Sequence, residues 1–160
     1  MYNDVLTLIF KWIHLVATVA WIGGMFTNFF IYMPVLGKVL DPPVAGKLMG
    51  AVMKRFRVMV YISMIVFLTS GMILGYLHID SGASDADMNI WNRLLIVKLA
   101  IFALMVILAL YAFEILAPKV TGIAAGGPSP RLRKVQKKQM ALALAGFILG
   151  LVVLWISAAL

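Results

Sequence analysis

Polar and polarizable side chains recur every three or four residues along the first apolar stretch of the chain. The members of this stripe are Thr7, Lys11, His14, Thr18, Trp21, Met25, Asn28 and Tyr32. Residues at this spacing share one face of an α-helix. Because the remainder of the stretch is mostly aliphatic or Phe, the stripe should face protein rather than lipid. There the His14 imidazole could form an interhelical hydrogen bond or coordinate a metal ion.

The chain offers few conventional metal ligands. It contains no Cys and two His, His14 and His78. The absence of Cys excludes thiolate metal sites, iron–sulfur clusters and covalently attached c-type haem. A neutral imidazole inside a membrane bundle is a good axial ligand for haem b. The 11 Met residues and two His residues also suit Cu(I). Of these two, we prefer haem b as the cofactor and keep copper as the alternative.

Further residues could complete such a site. Lys98 is predicted roughly 10 Å below Trp91 in the third helix, at about the depth of His14. It could act as a second axial ligand or pair with a haem propionate. Lys11, one turn from His14, could also pair with a propionate, and Trp21 could flank the porphyrin. His78 is a less favoured ligand because it is predicted near the outer surface.

Gly71 and Gly75 form a GxxxG pair in the second helix. Such pairs usually allow two helices to pack closely. The alternative is that they leave room for a flat cofactor, which would make both glycines cofactor-binding residues.

These residues lie in four apolar segments. The hydrophobic fraction is 64% and the mean hydropathy is +1.04, well above the values of soluble domains. The predicted helices cover about residues 5–33, 58–77, 90–116 and 140–160, and each reaches the ~20 residues that cross a bilayer. A short interfacial helix is expected over Val44 to Met53. We therefore predict an all-α bundle of four transmembrane helices, forming a single domain over residues 1–160.

Charge is distributed unevenly between the loops. Lys and Arg concentrate in the first and third loops, whereas the second loop carries Asp80, Asp85 and Asp87. The positive-inside rule places the basic loops in the cytoplasm and both termini on the outer side of the cytoplasmic membrane. The net charge of +8 is explained by topology and lipid contact. The expected partner is thus the lipid bilayer rather than nucleic acid.

Several short motifs, taken in order, resemble the HemJ and CopD families of membrane proteins. They are Lys11-x-x-His14 followed by Trp21-Ile22-Gly23-Gly24, Phe56-Arg57 before Thr69-Ser70-Gly71, and Asn92-Arg93 before Lys98. The HemJ family is associated with haem b and oxidation of protoporphyrinogen, and the CopD family with copper resistance or uptake. The resemblance implies that His14 is a haem ligand and Lys98 a second essential group. The fourth helix lacks the HemJ-type Asn-Glu-x-Pro motif, and Tyr32-Met33-Pro34 is closer to CopD.

The leading prediction is a b-type haem protein that transfers electrons or oxidises a porphyrinogen-like or quinol-like substrate, as an oxidoreductase of the HemJ type would. The first alternative is copper transport or copper resistance of the CopD type. The second is a structural subunit of a larger membrane complex. A homo-oligomer and a redox partner protein are the candidate protein partners.

The predicted topology can be checked with single engineered cysteines in intact cells. A cysteine at Asp85 should react with a membrane-impermeant reagent added outside, whereas one at Arg133 should be protected because its loop is cytoplasmic. Labelling of the Arg133 position from outside would reverse the assigned orientation.

Overall fold

The computed structural model describes residues 2–80, 85–124 and 126–158 of the protein. Within these ranges the chain is helical apart from short turns, and no strand occurs. We number four continuous helical rods, which are α1 (residues 2–39), α2 (Pro42–Asp80), α3 (residues 85–124) and α4 (Pro130–Ala158). The predicted all-α class is confirmed.

Each rod contains a segment long and apolar enough to cross a membrane. These segments are Asp4–Leu36, Pro43–Ile79, Asn89–Ala124 and Pro130–Ala158. At most 17% of the most apolar window of any segment is buried within the protein. Because so much apolar surface would be unfavourable in water, it must be covered by lipid. The protein is therefore a multi-pass membrane protein, while the side on which its termini lie stays a prediction.

Two prolines that were expected to end helices lie inside them instead. α1 continues past Pro34 to Val39, and α3 continues past Pro118 to Ala124. A proline removes one backbone hydrogen bond and its ring clashes with the carbonyl four residues earlier. In both rods a wider π-helical turn comes just before the proline, at Asn28–Tyr32 and at Tyr111–Leu116. The shifted hydrogen bonds of a π turn let the helix pass the proline without a break.

The other helix ends also extend beyond the predicted bounds. The expected interfacial helix over Val44 to Met53 is the first part of α2, a single helix of 39 residues. α4 begins at Pro130 rather than near residue 140, so its basic residues lie on the helix. Residues 81–84, in the predicted outer loop, and residues 159–160, at the predicted end of the fourth helix, lie outside the described part of the chain.

The chain divides into two compact units, Met1–Met88 and Asn89–Leu160. The first contains α1 and α2, and the second contains α3 and α4, each pair forming a helical hairpin. The single transmembrane domain expected over residues 1–160 stays a prediction.

A tight turn joins α1 to α2. Leu40 is extended, with φ −117° and ψ 145°, so it ends α1. The Asp41 carbonyl then accepts hydrogen bonds from the backbone N–H groups of Val44 and Ala45. Pro42 follows at the start of α2, where a missing N–H costs nothing. The result is a short reversal that lays α2 antiparallel to α1.

The turn between α3 and α4 is rich in glycine and proline. Gly127 has φ +89°, a left-handed conformation that glycine adopts without steric cost. Ser129 caps α4, because its Oγ accepts a hydrogen bond from the backbone N–H of Leu132 at 3.1 Å. Pro130 takes the first helical position, as is common after such a cap. Near this end, Lys138 Nζ donates a 2.9 Å hydrogen bond to the Tyr111 hydroxyl.

Gly24 packs tightly against two side chains of α2. A Cβ on Gly24 would lie 2.6 Å from Cε2 of Phe56 and 2.8 Å from Cε of Met59. No atom lies within 4 Å of the corresponding position on Gly23. The two adjacent glycines therefore have different roles, since only Gly24 makes room for α2.

This difference gives a matched pair of variants. Gly24→Leu should lower the free energy of unfolding by about 2 kcal/mol because it overpacks the interface with Phe56 and Met59, whereas Gly23→Leu should not. Loss of helicity during a detergent titration measures both. Equal stability of the two variants would contradict the close approach, and Phe56→Ala should restore part of the loss caused by Gly24→Leu.

Candidate functional site

His14 forms a hydrogen bond that links α1 to α2. Its Nδ1 lies 2.8 Å from the Oγ of Ser70. His14 and Ser70 are nearly the same number of residues from the turn at Asp41, so the antiparallel hairpin brings them to one level. Ser70 is 1% exposed, and its bond to His14 is therefore shielded from solvent. The interhelical hydrogen bond considered for His14 from the sequence is thus present.

The same bond determines which imidazole nitrogen carries the proton. The Ser70 hydroxyl donates its single hydrogen to the backbone carbonyl of Val66. With that hydrogen used, Oγ accepts from His14, and we therefore assign the proton of the ring to Nδ1. The lone pair of the neutral ring is then at Nε2. Histidines that bind metals commonly use this arrangement, in which a hydrogen bond at one nitrogen orients the other.

The ring of Phe67 packs against the imidazole of His14 within the first unit. The rings of His14 and Phe67 meet edge to face with centroids 4.8 Å apart. Phe67 also contacts Trp21, with centroids 5.8 Å apart, and Trp21 is 3% exposed. Phe67 thus connects two residues that were selected from the α1 stripe. Together they fix the orientation of the His14 ring.

The surroundings of Gly71 show what fills the space beside it, whereas for Gly75 only its burial is known. A Cβ on Gly71 would lie 4.0 Å from Cε1 of His14, which is ordinary van der Waals contact. The space beside Gly71 is therefore taken by the imidazole, and no gap as thick as a porphyrin separates His14 from α2 there. This agrees with close helix packing at Gly71. Gly75 lies one turn further along α2 and is half-buried.

The predicted inward face of α1 is confirmed in its central part. Trp21, Met25 and Asn28 are 3%, 6% and 6% exposed. Lys11 and Tyr32, near the two ends of the stripe, are exposed. The stripe is therefore buried from about the level of His14 to that of Asn28. Lys11 remains on the exposed side, one turn from His14, and its pairing with a propionate stays a prediction.

Asn28 leaves a polar atom without a partner. Its Oδ1 is buried and accepts no hydrogen bond from any residue that the structure describes. Such an atom is costly in an apolar setting. Asn28 begins a π turn, a feature that occurs often at functional sites. The amide oxygen is thus a second polar element of the hairpin interface, about 21 Å along α1 from His14.

His78 is well separated from His14. It lies in the last turn of α2, eight residues beyond Ser70 and so about 12 Å further along the helix. This agrees with the predicted difference in depth between the two histidines. His78 therefore lies at a different depth from the hydrogen bond between His14 and Ser70.

Lys98 belongs to the second unit. It is half-buried on α3, on a face that also contains the half-buried Trp91 and Phe102 and the buried Met105. Some of the residues between them, such as Asn92 and Leu99, are exposed. Lys98 thus lies on one of the less exposed faces of α3. A role for Lys98 beside His14 stays a prediction.

Two residues of this site were not selected as ligands or neighbours from the sequence. They are Ser70, which bonds His14, and Phe67, which packs on it. On α2, Gly71, Gly75 and His78 were selected from the sequence instead, and each of them is half-buried. The buried face carries Val60, Ser63 and Ser70. Two serines seven residues apart in an apolar helix were the signal that could have identified it.

The described residues contain no group of three or more His, Asp or Glu side chains that could enclose a metal ion. The site therefore fits a copper ion only as one imidazole ligand of a larger set. Met25, the nearest buried methionine on the α1 stripe, is about 16 Å from His14 along the helix. A haem would fit only beside the helix pair, because the imidazole fills the space at Gly71.

The fold and site define an all-α membrane protein with four spanning helices and a histidine fixed between two of them. Residues 50–160, more than half of the chain, match the family described as copper resistance protein D, CopD. The chain therefore belongs to the CopD family, as the resemblance predicted. No curated protein and no solved structure matches it. The matched region begins within α2, so it includes Ser70 and Lys98 and lies after His14.

The assigned tautomer predicts the response of His14 to a change at Ser70. In the unmodified protein the ¹⁵N resonances of His14 should show a protonated Nδ1 and an unprotonated Nε2. Ser70→Ala removes the acceptor, so the ring should shift toward the other tautomer. Thr69→Val is the control, because the Thr69 hydroxyl bonds to backbone carbonyls of its own helix. An unprotonated Nδ1 in the unmodified protein would overturn the assignment.

Proposed function

We propose that this protein handles copper within the membrane, with Nε2 of His14 as a copper ligand. The observation that carries this proposal is the hydrogen bond from His14 Nδ1 to Ser70, which leaves the lone pair at Nε2. Membership of the CopD family supports the choice of metal. In this proposal copper is the cargo and not a permanent cofactor. A site with few protein ligands suits a cargo because it can release the ion more readily than a site that encloses it.

Each residue around His14 would contribute to copper binding in its own way. Ser70 keeps Nδ1 protonated and orients the ring, as outer-shell partners of metal-binding histidines do. Phe67 and Trp21 exclude water on one side of the imidazole. Imidazole and thioether ligands favour copper over hard cations such as Mg²⁺. Further ligands would come from the carrier that delivers copper or from Lys98, whose position beside His14 we also propose.

A b-type haem is the second candidate for the same imidazole. The oriented Nε2 favours haem as much as it favours copper, because an axial histidine of haem uses the same tautomer. In this case His14 would hold the iron, while Lys98 would be a second ligand or a propionate partner. Lys11, exposed one turn from His14, would meet a propionate. An oxidoreductase function, with a quinol-like or porphyrinogen-like substrate, would follow from this candidate alone.

Metal analysis and absorption spectroscopy of the purified protein separate the two candidates. The copper proposal predicts Cu(I) binding without a Soret band. His14→Ala should weaken Cu(I) binding at least tenfold, and Ser70→Ala should weaken it by about tenfold. Competition with a chromogenic Cu(I) chelator measures both affinities.

His78→Ala is the matched control, since it removes the other imidazole of the chain and should leave copper binding nearly unchanged. Unaltered Cu(I) affinity in His14→Ala would overturn the copper site. A Soret band with stoichiometric iron would instead favour haem. In that case Lys98→Met should shift the spectrum if Lys98 is an iron ligand, and should weaken haem retention without a shift if it pairs with a propionate.

A further inference from the structure

An open groove runs along the surface of the first hairpin, with a volume of about 430 Å³. Its floor consists of small side chains, Ala17, Ala20 and Ser63, of which Ala17 and Ser63 are 6% and 3% exposed. Large side chains, including Trp12 and Ile62, form its rims and are 65% and 57% exposed. Small residues between large ones produce a trough that a flexible apolar chain can occupy.

A basic recess adjoins one end of this groove. The recess has a volume of about 600 Å³ and is lined by Ala51, Lys54, Arg55 and Val58. Arg55 and Val58 also line the groove, so the two spaces are neighbours. No acidic residue occurs in the sequence between Pro42 and Ile79. α2 therefore offers Lys54 and Arg55 no acidic residue nearby, and both side chains are exposed to an external anion.

The length of the groove matches one leaflet of a bilayer. Arg55 and Val66, which line its two ends on α2, are eleven residues apart, or about 16 Å along the helix. Half of the ~30 Å hydrocarbon core is about 15 Å. Lys54 and Arg55 directly precede the segment predicted to cross the core, so they lie at the level of lipid headgroups. The apolar part of the groove then lies at the level of acyl chains.

We propose that this groove binds an anionic phospholipid of the leaflet that faces the α1–α2 turn. Its phosphate binds Lys54 and Arg55, and one acyl chain lies over Ala17, Ala20 and Ser63. Lys and Arg side chains at the level of the headgroups attract anionic lipids. The charge favours a phospholipid over another apolar helix, which would leave both cations without a counter-ion. The proposal rests on the membrane-spanning fold and not on copper binding.

Native mass spectrometry can test the headgroup part of the proposal. The protein is extracted from bilayers of equimolar phosphatidylglycerol and phosphatidylcholine, and the retained lipids are counted. The unmodified protein should retain phosphatidylglycerol preferentially. Lys54→Gln with Arg55→Gln should reduce that preference by roughly fivefold for each cation removed. Arg133→Gln with Lys134→Gln is the control, because it removes the same charge from exposed positions on α4.

A second pair of variants tests the acyl-chain part. Ala20→Phe should fill the trough and lower phosphatidylglycerol retention while Lys54 and Arg55 are intact. Val19→Phe places the same side chain on the neighbouring residue, which is 64% exposed and does not line the groove, and should have no effect. Helicity in detergent verifies that each variant is folded.

Three results would overturn the proposal. The first is equal retention of both lipids by the unmodified protein, as expected if another helix fills the groove. The second is an equal loss in the two doubly substituted proteins, which would indicate attraction by net charge alone. The third is displacement of the lipid by inorganic phosphate together with no effect of Ala20→Phe, which would indicate an anion site without a chain site.

Discussion

The hydrogen bond between His14 and Ser70 sets the register on which the first hairpin depends. Inside a bilayer, apolar contacts discriminate poorly between registers, because lipid chains are as apolar as Leu or Val. A half-buried imidazole and a buried hydroxyl can satisfy each other at one register only. Gly24 then makes room for the side chains of Phe56 and Met59. The contact of Phe67 with His14 and Trp21, and the shape of the lipid groove, follow from that register.

A second constraint acts on the backbone, since a peptide group in hydrocarbon must find its hydrogen bond within its own helix. Pro34 and Pro118 each remove one donor from a membrane-spanning rod. The π turns Asn28–Tyr32 and Tyr111–Leu116 precede them and preserve helical bonding around the missing donor. The rods therefore remain continuous where a proline in a soluble helix would usually end it. Two side chains of interest, Asn28 and Tyr111, begin these turns.

The number of spans, the all-α class and the buried centre of the α1 stripe could all be predicted, because long apolar runs and polar residues at helical spacing are strong signals in a membrane protein. The inward face of α2 could not be predicted in the same way. That helix is apolar on every side, so its periodicity does not distinguish the face that meets α1 from the face that meets lipid. Gly71 and Gly75 were therefore selected on α2, whereas Ser63 and Ser70 mark its buried face. The partner of His14 depends on the turn at Asp41, whose geometry the composition of the loop does not specify.

The tight reversal at Leu40 and Asp41 also has a consequence for how the protein is made. Because synthesis proceeds from the N-terminus, α1 is complete before Ser70 exists. Until then His14, on the polar face of α1, has no partner in α2, and exposing it to lipid would be unfavourable. The short turn also leaves the two helices little freedom to enter the bilayer at separate times. The first hairpin should therefore leave the insertion machinery as a pair, with His14 already bonded to Ser70.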